Sequence, residues 1–494
     1  LLTDSGTISL KGTQDYSGSL GLSLTADGDI DVGAVTTTNN GTVIFNNKNN
    51  LNLLGDIVAS GSITQTDISG GTAVVNMGDP SSPNSNISIS SNGNVPITFN
   101  GSITLRKNGT IQTTGPGNIT IGSSSGNFLR TDNNGDGQLS MSIQATGSGT
   151  VTINSDVGGG NLELGTLSVS SGQKVQLNSG SIKTSIGGQS YQAPTITLGN
   201  TLTLQSGPGN ILFTGNIEGS NNYSQDLTVS STTGTLSVTG SIGKAVNLGN
   251  ISGAGLQSVS IGTTSATDVV NAKSISLTAI VGNINVNATQ NYLNSVTLEA
   301  GGNLNTANTI TSTTGPISLK ATGNLTENGL VTQGGSGTIA LDHGGLLTLA
   351  GYVTSSNSFT VTSGVNSSIN VGSATVANDP VDITVTMGNF SLGRNVSLVN
   401  GLYVRTLATG GNVTFTSLVD SATSTPKSLT IDSKGIVNFN ANVGSINRLG
   451  DIKINSTSGY QLDGLNALGT ITAGSLNSGV VANDINLTYD QNYN

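Results

Sequence analysis

The sequence predicts an all-β chain wound as a right-handed parallel β-helix, and three observations support that expectation. Apolar–hydroxyl–apolar triplets run along the whole chain, as at Ile8-Ser9-Leu10, Ile103-Thr104-Leu105, Ile119-Thr120-Ile121 and Leu429-Thr430-Ile431. In the clearest stretch they recur at a step of about 21 residues, the size of one unit in a repeat protein. A Gly-Asn-apolar marker repeats in the same register.

The triplet defines the strand. Alternation with period two puts the apolar pair on one face and the hydroxyl on the other. Each strand is about three to five residues long and is bounded by Gly, Asn, Asp or Ser. No window shows a 3.6-residue apolar stripe, so helix is not expected.

The spacing defines the coil. Triplets start at Ile275, Val296, Ile317, Ile339 and Phe359, a nearly constant step along the chain. Gly282-Asn283-Ile284, Gly302-Asn303-Leu304 and Gly323-Asn324-Leu325 keep the same step, and the marker returns at Gly117, Gly209, Gly249, Gly388 and Gly411. Such a period belongs to a repeat architecture. A rung of three short strands and three turns uses roughly 20 residues, and each strand lies about 4.8 Å from its copy one rung away. At that rate the chain makes roughly 23 rungs, a rod near 110 Å.

In this scheme inward Ile, Val and Leu fill a narrow core that suits few aromatic rings, while Ser and Thr face water. Gly and Asn occupy turns because they tolerate positive φ, and stacked Asn side chains bond along the axis. Tandem immunoglobulin-like sandwiches are the rival all-β reading, but their strands are longer and Trp is absent here. The period blurs over 123–195 and 420–470, and loops leave the coil near 79–83 and 188–194. No linker divides the chain, which reads as one continuous β-helix over 1–494. Because it begins Leu1-Leu2-Thr3, without Met or a signal peptide, it is expected to be part of a longer chain.

Composition narrows the function. Only 9% of the 494 residues are charged, against roughly 25% in a soluble domain. Such polarity without charge also suits disorder, but the 34% hydrophobic content is regularly placed and a net charge of −10 is small for this length. The absence of Cys removes disulfides, thiolate chemistry and the usual zinc sites, and it suits a bacterial exported protein. No apolar run approaches the roughly 20 residues of a membrane span. Sixteen scattered basic residues make no phosphate-binding footprint, so nucleic acid is not an expected partner.

The sharpest motif is Asp132-Asn133-Asn134-Gly135-Asp136-Gly137-Gln138-Leu139. Asp132, Asn134 and Asp136 stand at positions 1, 3 and 5 of a calcium loop, with Gly137 at 6 and Leu139 at 8. The acid expected at position 12 is replaced by Ile143, and a polar turn is the competing reading. Calcium is the one cofactor suggested, and none is required. Asp27, Asp29 and Asp31 put three carboxylates on one strand face, read as a solvated outer surface rather than a second calcium site.

The single His lies in Asp342-His343-Gly344, which resembles the His-Gly element of β-helical pectin hydrolases. Glycoside cleavage needs carboxylates paired around the bond. No Asp-Asp pair, Asn-x-Asp or Arg-x-Lys signature accompanies the His; the nearest run is Asp451-Ile452-Lys453. His343 is therefore expected in a surface turn, and the chain is not expected to be an enzyme. Nine Tyr and eight Phe are spread too thinly for a stacking sugar site. Thr36-Thr37-Thr38 and Thr313-Thr314 are too isolated for an ice- or mineral-binding array.

Gly-Asn-[Ile/Leu]-x-[apolar] strands at this spacing resemble the filamentous haemagglutinin-like and autotransporter-passenger β-helices of bacterial surface proteins. The resemblance is one of pattern and covers nearly the whole chain, while the amino-terminal secretion-domain motifs of the haemagglutinins are absent. It implies export to the extracellular space or the outer-membrane-associated cell surface, with adhesion or fibre formation as the role. The expected function is the rod-like shaft of an adhesin. Its partners would be a host-cell, neighbouring-cell or matrix surface, or copies of itself. The alternative is a structural envelope or matrix protein, such as a sheath, surface-layer or fibril subunit.

Overall fold

In the computed structural model the described residues form strands, turns and bends, with no helix among them. The description excludes residues 4–5, 69–72, 83–85, 125, 133–137, 160–161, 264, 266, 335–336, 375–378, 457–463, 468–471, 479–484, 488–491 and 494. From residue 456 onward it covers the strand backbone alone. The strands stack in parallel in about 20 turns, a β-solenoid. That is fewer than the rung length predicts, because several turns are lengthened by insertions. Two compact units divide the chain, Leu1–Gln257 and Ser258–Asn494.

In the first unit each turn supplies one strand to each of three faces. On one face Leu22, Val43, Ile63, Ile97, Ile119, Val151, Val175, Ile196 and Ile217 stand in register. The turns that carry Ile63 to Ile97 and Ile119 to Val151 hold insertions. The other steps in this column stay near the basic rung of roughly 20 residues. A second face is built from Ile8–Leu10, Ile30–Val32, Leu51–Leu53, Val74–Met77 and their successors. The third runs through Gln14–Tyr16, Val35–Thr37, Ile57–Ala59 and Asn86–Ser91.

The second unit repeats this plan. Ile275, Val296, Ile317, Ile339 and Phe359 pair directly from turn to turn, as the triplet spacing predicts, and Phe390, Val413 and Val437 follow. Ile284, Leu304, Leu325, Leu347 and Ile369 form its second column. Val270, Gln290, Ile310, Leu330 and Val353 form its third.

Strand burial alternates as the triplets require. In Ile97–Phe99, Ile119–Ile121 and Leu304–Thr306 the outer residues are buried and the middle one is not. Each Leu or Ile taken from water contributes about 1.5–3 kcal/mol. One expectation needs correction: the core admits rings. Phe45, Phe99, Phe213, Phe359, Phe390, Phe415 and Phe439 are all fully buried. In the second unit parallel register stacks like on like, as in Phe359–Phe390 at 5.7 Å and Phe415–Phe439 at 5.3 Å between centroids. Phe45 and Phe99 instead lie in register with Leu24, Gln65 and Ile121.

Candidate functional site

The Gly-Asn marker joins one turn to the next. Oδ1 of Asn283 accepts the Asn303 backbone N–H, Oδ1 of Asn303 accepts that of Asn324, and Oδ1 of Asn324 accepts that of Leu346, each at 2.8 Å. Each bond adds one rung to the ladder just before the strand begins. The glycine is the other half of the device. A methyl on Gly302, Gly323 or Gly345 would sit 2.5, 2.4 or 2.4 Å from the Oδ1 of the asparagine one turn back. None of these glycines has positive φ, and Asn39 and Asn40 are the only asparagines that do among the described residues. Space for the neighbouring amide, not left-handed backbone, is thus what the marker encodes. The bond expected between stacked amides occurs elsewhere, as in Asn76 to Asn52 at 2.9 Å and Asn178 to Asn154 at 2.8 Å.

A second set of residues was not legible in the sequence. Hydroxyls at the inward ends of strands are buried and close the corners: Thr113, Thr332 and Thr406 donate to the carbonyls of Gly117, Gly337 and Gly411 at 3.0, 2.8 and 2.8 Å. Such local side-chain-to-backbone bonds satisfy a turn that regular pairing leaves open. Because outward Ser and Thr are far more numerous, residue type alone cannot mark these few.

A surface cavity of about 460 Å³ lies in the first unit where the chain leaves the coil after Met77. Four successive corners line it, with Ala34, Asp56, Gly78, Asp79, Asn86 and Lys107 among the contributors. The Lys107 ammonium donates to the Ser82 carbonyl at 2.9 Å. Hydrogen bonds from the Ser81 hydroxyl and N–H hold Asp79 below the usual carboxylate range, and Lys107 and Lys11 add to the effect. The cavity thus presents carboxylates, an ammonium and an amide to a small polar ligand.

A polar network lies in the second unit on the strands Val381–Val385, Leu402–Thr406, Leu429–Ser433 and Leu449–Ser456. The Tyr403 hydroxyl bonds Asp432 and accepts from Arg405 Nε at 3.2 Å, while Asn455 donates to Asp432 at 2.8 Å. Burial and the hydrogen bond to Asp432 raise the Tyr403 pKa.

Of the calcium-loop residues, Asp132 is described, and its N–H donates to the Leu105 carbonyl at 2.9 Å. Asn134 and Asp136 lie outside the described residues. The acidic cluster is dispersed: Asp27 faces Lys48 at 3.8 Å, Asp29 accepts the Asn50 N–H at 3.1 Å, and Asp31 takes Asn52 and faces Lys11 at 3.7 Å. Among the described residues no group of three or more His, Asp or Glu is disposed to hold a metal.

His343 is not in a surface turn. It is the inward last residue of Ile339–His343 and only 1% exposed. Its place follows from register, since Ala321 and Ser363 occupy the same inward position on adjacent turns. Nδ1 lies 2.9 Å from the Gly345 carbonyl, which can only accept, so Nδ1 holds the proton. Among the described residues Nε2 is buried without a partner, and desolvation pushes the pKa down. Glu327 is fully buried nearby in sequence. Its Oε2 accepts the Gly329 N–H at 2.8 Å, Oε1 has no partner among the described residues, and burial pushes the pKa up to about 8. Alternation from Leu325 through Thr326 points this Glu inward, against what its charge suggests.

Comparison with known protein families, curated proteins and solved structures yields no match to this chain. Among the described residues no helix is long and apolar enough to cross a membrane.

Proposed function

We propose that this chain is a secreted or cell-surface bacterial fibrous protein that serves as the shaft of an adhesin. The observation that favours this reading is the repeated fastening of each turn to the next. Backbone pairing, stacked apolar residues and the Gly-Asn couple recur with the same geometry, so stiffness is distributed over the coil rather than concentrated at one centre. Each turn adds about 4.8 Å of height. A shaft of this kind holds a binding element away from the cell surface and meets a host-cell, neighbouring-cell or matrix surface.

Negative-stain microscopy of the intact protein tests the proposal. Thin unbranched rods support the shaft. Sheets or tubes would replace it with an envelope or matrix subunit, and compact particles would remove both readings.

A further inference from the structure

The chain contains seven Asn-Gly dipeptides, at Asn40, Asn92, Asn100, Asn108, Asn134, Asn328 and Asn400. This pair is the most prone of all to spontaneous loss of the side-chain amide, because glycine leaves the following N–H unhindered. The fold treats six of the seven in two different ways; Asn134 lies outside the described residues.

Five are restrained. The Gly41 N–H donates to the Thr38 carbonyl at 3.0 Å, Gly101 to Gln65 Oε1 at 2.8 Å, Gly329 to Glu327 Oε2 at 2.8 Å and Gly401 to Asp379 Oδ1 at 2.7 Å. Asn108 is held by its own side chain, which accepts the Ser140 N–H at 2.9 Å and donates to Asn86 at 3.3 Å. A nitrogen engaged in this way points its lone pair and proton away from the attack geometry, and a tethered amide cannot swing toward it.

Asn92-Gly93 has neither restraint. It sits in the turn between Asn86–Ser91 and Ile97–Phe99, with Asn92 exposed. The Asn92 backbone N–H reaches the Ala59 carbonyl at 2.8 Å, but among the described residues its side chain and the Gly93 N–H have no hydrogen-bond partner.

We propose that Asn92 is a spontaneous modification site, converted to aspartate and isoaspartate in the folded protein while the other described Asn-Gly pairs are preserved. The Gly93 nitrogen loses its proton and attacks Asn92 Cγ; a C–N bond forms, and the side-chain amide leaves as ammonia. Water then opens the five-membered imide. Hydrolysis at the former side-chain carbonyl gives aspartate. Hydrolysis at the backbone carbonyl gives isoaspartate, in which the chain continues through Cγ. The net reaction consumes one water and releases one ammonia. Both products add one negative charge at a corner of the coil, and isoaspartate inserts a methylene into the backbone beside the Ser91 carbonyl that accepts the Thr114 N–H at 2.9 Å.

The test is prolonged incubation of the full chain at mildly alkaline pH and body temperature, followed by peptide mapping with tandem mass spectrometry and isoaspartyl-specific methylation. Asn92 is expected to convert about tenfold or more faster than Asn100, Asn328 or Asn400, the factor given by one hydrogen bond's worth of barrier. Gly93→Ala should suppress conversion while leaving the fold unchanged by circular dichroism. Gln65→Met, which frees the Gly101 N–H, should bring Asn100 into the reaction. Two outcomes would overturn the proposal. One is an intact Asn92 under conditions that convert a short peptide spanning Ser91–Asn94. The other is faster loss at Asn328 or Asn400, which would make Glu327 and Asp379 bases rather than guards.

Discussion

Residues 269–363 and residues 63–175 solve the same stacking problem with different regularity. In the first stretch, part of the second unit, successive turns differ by no more than two residues in length. In the second, part of the first unit, long turns alternate with short ones: Ile63 to Ile97 and Ile119 to Val151 are long, Ile97 to Ile119 and Val151 to Val175 short. Register survives all the same. The Asn118 Oδ1 accepts the Thr150 N–H across a 32-residue turn at 2.8 Å, the distance seen between Asn283 and Asn303 across 20. Extra residues enter only at corners, where closing a longer loop costs just about 0.6 kcal/mol per doubling of length. The surface cavity lies where the irregular stretch meets the two turns before it, between corners such as Ala34 and Asp56 on one side and Asp79 and Lys107 on the other. Buried polar atoms without a partner among the described residues occur in both stretches, at Arg130 and Ser155 in the irregular one and at Gln290, Glu327 and His343 in the regular one. Only the latter include a buried acid and an imidazole.

If the coil beneath the loops is the same coil, core truncations must cost the same in both stretches. Leu319→Ala and Ile103→Ala each remove a side chain no more than 1% exposed. Each should lose about 2–5 kcal/mol in chemical denaturation. A much smaller loss at Ile103 would show that the irregular turns are loosely packed and would break the comparison.

The buried acid separates the two stretches by pH. The folded-state pKa of Glu327 is about 8, above its ordinary value of 4.5, so the fold favours the protonated form. Its contribution is full below the unfolded value and is lost as pH rises through that window toward 8. From pH 5 to pH 7 the loss is on the order of 2–3 kcal/mol. Glu327→Gln keeps the shape without the charge and should remove this slope, read as the difference between wild type and variant. His343 acts in the opposite sense: its lowered pKa removes stability as pH falls below its usual value, and that part persists in the variant. An unchanged slope in Glu327→Gln would mean that Oε1 reaches water.

The Gly-Asn couple predicts a smaller and non-additive effect. Asn303→Ala removes the acceptor of the Asn324 N–H, and Gly323→Ala pushes the same amide aside. Each should cost about 1 kcal/mol, and the double variant about the same rather than twice as much. Additive losses would mean that the glycine is needed for its backbone. Asn118→Ala should match Asn303→Ala if loop length is irrelevant to the ladder.

The strands and their order were legible because inward residues must be apolar on every turn, and alternation nested within a constant rung length is hard to disguise. The column from Ile275 to Phe359 was readable residue by residue for that reason. Corner hydroxyls such as Thr332 were not, since the same residue type serves water outside and a glycine carbonyl inside. His343 was misplaced on chemical grounds: a lone polar residue beside Asp342 and Gly344 looks like a turn, yet alternation from Ile339 points it inward. Alternation was the better guide there. The loop at Asp132 was visible as a motif, but the sequence does not say which corner it decorates.

The smallest effect concerns a short exposed ion pair in the regular stretch. Lys320 Nζ lies 2.8 Å from Glu299, and register places Lys320 between Glu299 and Asp342 on adjacent turns. The hydrogen bond to Glu299 raises the Lys320 pKa, with the Glu299 charge next in importance. All of this occurs in water, where such pairs contribute little. Lys320→Gln leaves two carboxylates about 9.6 Å apart, two strand spacings, a distance close to the screening length of roughly 8 Å at physiological salt. The unfolding midpoint should therefore be unchanged there and drop slightly only at low ionic strength. A clear loss at physiological salt would show that charge rows on the outer face, and not the apolar column beneath them, set the register of the regular stretch.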